Sequence, residues 1–390
     1  MLALINEIRR YAWGSHTAMA EFLGRKAPTD EPEAELWIGA YPACPSRLAD
    51  GRTLQQLIAA DPTAALGAAA VARFGPRLPF LLKVLTIGAP LSLQAHPDAG
   101  RAEQGFAAEE AAGVPLDHPS RNYRDPRHKP EMLCALTPVE AFCGLRTAPD
   151  AVALVDALAV TELAGLRNAL SGGALSVAVH WVLFLSDAEV TGTVSAVRRA
   201  AGTVGSGPYV PALHWISRLA EKYPDDRGVL LTLLCTFIEL EPGEALYIPA
   251  GCLHAYLSGV GVEIMAESDN VLRGGLTAKH VDVVDLQRVL DLHGDGPKVL
   301  RGGPDSTGRT SFPTDVAEFD LSRRAITDAV VLDGNRPRLI LTVEGSASLR
   351  SPDGAVLELP RGSAAFVSAA EDGIQISGPA VVFEATTPPS

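Results

Sequence analysis

Strand-like sequence stops near residue 146 and resumes near residue 238, and the ninety or so residues between read as helix. Val152, Val155, Leu158, Leu163 and Leu166 recur at roughly helical spacing with Ala between them. A second helix fits Ser176 to Ser186, and a third fits Pro211 to Lys222, with Arg218 and Lys222 on its exposed face. Gly202 to Gly207 reads as a loop, and Asp225 and Asp226 are suitable caps for a fourth helical segment. On either side the apolar runs are short: Leu81–Leu85 (broken by Lys83), Leu240–Ala250, Val260–Met265, Leu339–Val343 and Ala364–Val367. Gly (36) and Pro (29) make up about one residue in six, punctuation that suits many short strands better than a helical bundle. The expected fold is mainly β with an α insertion. A discontinuous β domain takes residues 1–146 and 238–300, with a short linking helix at Val281–Leu292. The helical insert takes 147–237, and a second β domain takes 301–390.

An internal echo relates the two β regions. Leu240-Glu-Pro-Gly-Glu-Ala-Leu-Tyr-Ile-Pro-Ala250 aligns with Leu359-Pro-Arg-Gly-Ser-Ala-Ala-Phe-Val-Ser-Ala369, Tyr247 facing Phe366 and Ile248 facing Val367. Any strand–turn–strand could give such a match. If the repeat is real, the second copy lacks chemistry, because Gly373 stands where the first has His254.

Charge narrows the partners. Asp and Glu (46) outnumber Lys and Arg (33), for a net charge of −13, the wrong sign for nucleic acid or an anionic membrane surface. A local basic pocket for one phosphate is compatible with it. No apolar run reaches the roughly 18 residues of a membrane span, and Met1–Arg10 has no signal-peptide core. The cysteines (Cys44, Cys134, Cys143, Cys235 and Cys252) are odd in number and form no C-x-x-C, as expected for reduced thiols in a cytoplasmic protein.

The chemistry-bearing residues fall in separate segments. In Leu91-Ser-Leu-Gln-Ala-His-Pro97, strand alternation puts Ser92, Gln94 and His96 on one face, an arrangement that suits a metal or an ordinary solvent face. In Tyr123-Arg-Asp-Pro-Arg-His-Lys-Pro-Glu131, Pro130 keeps Lys129 extended, so Lys129 and Glu131 point the same way. Glu131 opens the apolar run Met132–Leu136, where a carboxylate needs a cation partner; a Lys–Glu surface pair is the plain alternative. In Tyr247-Ile-Pro-Ala-Gly-Cys-Leu-His-Ala-Tyr256, Pro249 and Gly251 make a tight turn before His254 and Tyr256. Beyond lie Glu263, Asp269, Arg273 and Lys279.

Together these segments resemble the type I phosphomannose isomerases. The resemblance covers most of residues 1–146 and 238–285. It includes Tyr11-Ala-Trp-Gly-Ser15, Glu35-Leu-Trp-Ile-Gly39, Pro79-Phe-Leu-Leu-Lys-Val-Leu85, Ser92-Leu-Gln-Ala-His-Pro97, His128-Lys-Pro-Glu-Met132, Glu140-Ala-Phe-Cys-Gly-Leu-Arg146, Pro249-Ala-Gly-Cys-Leu-His254 and Ser268-Asp-Asn-Val-Leu-Arg-Gly-Gly-Leu276. Tyr41 stands where that family usually has His, and Ala278 where it commonly has Pro.

The resemblance implies cupin-like jelly-roll β domains with an inserted helical domain, and a zinc enzyme interconverting mannose 6-phosphate and fructose 6-phosphate. Its metal ligands would be Gln94, His96, Glu131 and His254, holding one Zn²⁺ per chain. An all-N/O ligand set agrees with zinc, other divalent metals being compatible. Aldose–ketose isomerisation needs a proton carrier near C1 and C2 and positive charge where the enediolate forms. Arg273 is the candidate for that charge, and Glu263 for the proton, with Asp269, His128 and Lys129 as alternatives. Ser92, Lys129, Lys279, Tyr256 and Trp13 are candidate substrate contacts, core packing being the alternative for Trp13, as for Trp37. Glu35 reads as a backbone partner, and His16, His118, His180, His214, His280 and His293 as structural or exposed. A monomer or weak homo-oligomer acting on a small sugar phosphate is expected. The rival readings are a metal-dependent cupin oxygenase using two His and one carboxylate, and a non-catalytic sugar-phosphate-binding cupin.

Overall fold

The computed structural model describes residues 1–292 and 296–389, so His293 lies outside the described residues. Two antiparallel sheets, one of 11 strands and one of nine, dominate the molecule. The spine of the larger sheet is the strand His254–Ala266. Its first half pairs with Leu93–Ala95 and Val139–Leu145, and its second half with Phe80–Ile87 and Glu131–Ala135. Between the halves the register slips at Tyr256/Ser258, and Gly259 takes φ 112°. A Cβ there would meet the Pro138 carbonyl oxygen at 2.4 Å, so the crossing requires glycine. The bend brings five separate sequence segments to one place: His254 stands opposite both Gln94 and Cys143, Gln94 opposite Arg273, and Glu263 opposite Lys83.

The helices from Ala148 to Thr232 leave the sheet after Val139–Leu145 and return through Cys235–Leu240, whose residue Cys235 is the register partner of Leu145. Thr147 caps the first helix by accepting from the Asp150 N–H. The apolar stripe expected to run on to Leu166 is divided, because Ala159 turns left-handed (φ 51°) and ends the helix Ala148–Leu158. Thr161–Leu163 is a 3₁₀ turn, and a separate helix occupies Ala164–Ser171. The second expected helix is Leu175–Leu183 and stops short of Ser186. Ser186 instead forms a capping box with Glu189 and opens the helix Asp187–Ala201, which the apolar spacing had not disclosed. Helices Val210–Lys222 and Arg227–Thr232 follow. Asp226 caps the latter, whereas Asp225, also expected to cap, accepts from the Thr191 hydroxyl (2.8 Å). The linking helix is Val283–Val289.

The insert has no core of its own. Leu166, Val179, Val194, Ile216 and Leu230 form one buried cluster with Leu93, Ala95, Leu253, Leu257 and Leu272 of the sheet. Each such aliphatic side chain contributes about 1.5–3 kcal/mol, so the helices are anchored to the same strands that carry the site.

The smaller sheet contains Asp320–Ile326, Arg338–Arg350, Ala364–Val367 and Ala380–Thr386. Its edge is completed by Leu2–Leu4, with Leu2 opposite Phe366. Residues 2–4 thus join the C-terminal sheet, where their backbone finds a ladder partner. Ile38, Phe80 and Leu82 share a core with Leu339, Phe366 and Phe383, so the two sheets pack face to face. In both halves of the echo a strand ends, turns through a positive-φ glycine (Gly243 at 92°, Gly362 at 84°) and continues as a four-residue strand. No described helix is long and apolar enough to cross a membrane.

Candidate active site

His96 directly follows the strand Leu93–Ala95, and His254 opens the spine strand. His96 Nδ1 lies 2.7 Å from the Asn270 carbonyl oxygen, and His254 Nδ1 lies 3.0 Å from that of Cys252. Each ring thus donates from Nδ1 to a backbone carbonyl, which turns its Nε2 toward the cluster. Both Nε2 atoms face Glu131: His96 to Oε1 at 3.3 Å and His254 to Oε2 at 3.4 Å. Ligand atoms of His96, Glu131 and His254 all lie within 4.8 Å of one another, and all three residues are buried. The Gln94 amide nitrogen is 3.4 Å from His254 Nε2, and a flip of that amide would bring its oxygen there instead.

His96 Nε2 and Glu131 Oε2 are buried yet make no hydrogen bond. A buried unsatisfied group costs about 1–3 kcal/mol, so two of them facing one space demand a partner. Burial pushes the His96 pKa down to about 4, which keeps the ring neutral. Burial opposes ionisation of Glu131 too, but His96 and Lys129 outweigh it and hold the carboxyl well below its ordinary range. Neutral imidazole, carboxylate and amide are the donor set a zinc ion takes, so these residues fit the metal.

A cleft of about 410 Å³ opens above Gln94 and Glu131. Trp13, Ser92, Lys129, Tyr256, Glu263, Asp269, Arg273 and Lys279 line it, all of them residues singled out from sequence. The Lys129 ammonium sits 3.2 Å from Glu131 Oε1, and both groups are buried rather than on the surface. Asp269 accepts from Arg124 (2.7 Å). Lys279 is pulled below its ordinary pKa by burial and by the neighbouring Arg273 and Arg124. Such crowding of cations is relieved by an anion.

One candidate is not brought in. His128 is absent from the cleft lining; its Nε2 lies 2.8 Å from Glu318 of the C-terminal β region, so its imidazole is engaged away from the cleft. Tyr41 likewise stands outside the cleft, edge-on to Trp37 with ring centres 5.5 Å apart. Glu35, read as a backbone partner, instead accepts from Trp37 Nε1 (2.5 Å) and lies 3.9 Å from the Lys83 ammonium.

The sequence reading missed Lys83, Arg124, Lys222 and Tyr223, which also line the cleft. Lys83 left a signal, as the one cation within the apolar run Phe80–Ile87. Lys222 and Tyr223 come from the insert and left none. Asn270 was missed as a bracket. Its side chain accepts from the backbone N–H groups of Arg124 (2.7 Å) and Asp125 (3.2 Å) and donates to the carbonyls of Asp125 (2.7 Å) and Arg127 (2.8 Å), fixing the segment that leads to Lys129.

A buried His/Glu/His cluster at the floor of a cationic cleft, on a pair of packed antiparallel sheets, defines a metal-dependent enzyme of the cupin type. The family described as "phosphomannose isomerase type I, catalytic domain" matches residues 1–148. The mannose-6-phosphate isomerases of Salmonella typhimurium (strain LT2) and Escherichia coli (strain K12) are 39% and 36% identical, each over 97% of both chains. Among solved structures, the apo mannose 6-phosphate isomerase of Salmonella typhimurium and a zinc-bound mannose 6-phosphate isomerase each superpose with TM-score 0.90 at 36% identity, covering 99% of both chains. The chain belongs to the type I phosphomannose isomerases.

Proposed function

We infer that this chain interconverts mannose 6-phosphate and fructose 6-phosphate, moving a proton between C1 and C2 through an enediolate. The observation that carries the inference is the His96–Glu131–His254 cluster beneath a cleft lined by Lys129, Arg273 and Lys279. Gln94, His96, Glu131 and His254 would hold one Zn²⁺, which when bound supplies positive charge to polarise the sugar's oxygens.

Glu263 is the proposed proton carrier. Burial raises its pKa to about 7, against the pull of Lys83, so the carboxyl is poised to take a carbon-bound proton and return it at neutral pH. Arg273, register partner of Gln94, and Lys129 supply positive charge where the enediolate develops. Lys279 and Ser92 are the proposed contacts to the phosphate and sugar, with Tyr256 and Trp13 forming the apolar wall. Asp269 is read as the group that positions Arg124.

The buried, unpaired cysteines support a cytoplasmic location. The pairing of Leu145 with Cys235 supports an inserted unit at 147–237 between β regions at 1–146 and 238–300, followed by 301–390, with residues 2–4 reaching across to the last of these. The test is formation of fructose 6-phosphate from mannose 6-phosphate by purified protein, before chelation, after it, and after zinc is restored. Turnover that is absent throughout, or indifferent to chelation, refutes the reading.

A further inference from the structure

We propose that Cys143 and Cys252 are a peroxide-sensitive dithiol that closes to a disulfide beneath the metal centre and displaces His254. Their sulfurs are 3.6 Å apart, in van der Waals contact, and both residues are buried. Cys143 lies on Val139–Leu145, directly opposite His254 in the ladder. Cys252 supplies the carbonyl that accepts from His254 Nδ1. Both members of the pair are therefore tied to the same imidazole, one by strand register and one by its proton acceptor.

Cys252 also has a route to solvent that avoids the substrate cleft. It lines a separate cavity of about 250 Å³ with Leu145, Tyr247, Pro249, Lys298 and Asp315. A molecule the size of hydrogen peroxide fits there. The nearby Cys235 thiol donates instead to the Leu231 carbonyl at 3.4 Å.

The step balances with peroxide as oxidant. One sulfur attacks a peroxide oxygen, giving a sulfenic acid and water, and the second sulfur displaces the sulfenic oxygen as another water. Two thiols lose two electrons and two protons, and one peroxide becomes two waters. A disulfide bond is about 2.05 Å long, so the sulfurs must approach by about 1.5 Å. Gly251, just before Cys252, is held at φ 76° in a site where a Cβ would meet the Asp291 nitrogen at 2.7 Å. Gly251 also donates to the His96 carbonyl (2.7 Å) and accepts from the Asp291 N–H (3.0 Å), so the backbone before Cys252 is held and the displacement falls on the Cys252 carbonyl and on His254. Loss of such a supporting hydrogen bond typically weakens metal binding about 10–100-fold.

The experiment treats the folded, zinc-loaded protein with hydrogen peroxide. Peptide mass analysis without reduction is expected to find Cys143 and Cys252 linked and lighter by two hydrogens, a result independent of whether His254 is a ligand. Zinc release and activity loss should rise together with the link and be reversed by dithiothreitol plus zinc. Cys143→Ala and Cys252→Ala, each compared with its own untreated sample, should release at least several-fold less zinc. The proposal is overturned if no such link forms in folded protein, if Cys235 is the partner, if the link forms with zinc and activity retained, or if Cys143→Ala loses zinc as readily as the parent.

Discussion

Lys83 and Glu263 are register partners in the ladder between Phe80–Ile87 and His254–Ala266, and their side chains meet across it, Nζ to Oε2, at 3.1 Å. Burial disfavours the Lys83 charge, but Glu35 and Glu263 outweigh it and raise its pKa, so it stays an ammonium. It also lies 5.2 Å from the Trp37 ring centre. The cleft thus contains a fixed cation whose neighbour, Glu263, titrates near neutrality.

A pH dependence follows from this pair. Glu263 acts as a base only when ionised, so kcat/KM should fall as pH drops through about 7, the value to which burial raises the group. Lys83→Met removes the opposing charge and should move this limb to higher pH; a limb that does not move would refute the coupling. Glu263→Gln should lower kcat by about 10²–10⁴ and abolish the limb. The stability sign is fixed by the same shift. The folded-state pKa lies above the ordinary 4.5, so this group favours folding most below pH 4.5, and that contribution is lost as pH rises through 7.

Metal removal should destabilise as well as inactivate. His96 Nε2 and Glu131 Oε2 make no hydrogen bond, and they belong to a cluster whose ligand atoms lie within 4.8 Å of one another. A metal at 100 times its Kd adds about 2.7 kcal/mol to stability. Chelation should therefore lower Tm, and zinc should restore it. Glu131→Gln should bind zinc far more weakly and show a Tm indifferent to chelator. A parent protein whose Tm ignores both treatments would rule out this metal site.

Arg273 is positioned by its pairing with Gln94, so truncating it should spare the fold. Arg273→Ala is expected to reduce kcat by about 10²–10³, the usual cost of one charge-stabilising donor. Steady-state kinetics decide the matter: a loss confined to KM would place Arg273 on the phosphate alone.

Asp226 joins the insert to the cleft. It accepts from the N–H of Gly228 (2.7 Å), in the first turn of the last helix of the insert, and from those of Leu276 (2.6 Å) and Thr277 (3.3 Å), near Lys279. Asp226→Ala should cost about 0.5–2 kcal/mol as a lost cap, seen as a lower Tm. It should also raise KM for mannose 6-phosphate more than it lowers kcat, through the displaced Lys279 loop. An unchanged KM would separate that loop from substrate binding.

Local chemistry explains why some of this was legible before any coordinates. Strand alternation puts Gln94 and His96 on one side, and Pro130 keeps Lys129 and Glu131 together. These are short-range constraints, written in adjacent residues. Ser186 with Glu189 was equally local, yet the helix it opens was overlooked because a Gly- and Thr-containing stretch shows only a weak apolar stripe. His128 shows the opposite limit. Its neighbours suggested chemistry, while its actual partner, Glu318, is 190 residues away.

The sequence alone determined the residue types able to hold a divalent cation and the interruption of β texture by helix. Tertiary structure decided which of those residues meet. The bend at Gly259 sets the register that brings Gln94, Glu131, His254 and Glu263 together, packing buries Lys83 beside two carboxylates, and docking of the insert delivers Lys222 to the cleft. The physical reason is range. Backbone preference acts over a few residues, whereas a charge's partner, its pKa and its exposure depend on whatever distant segment is folded against it.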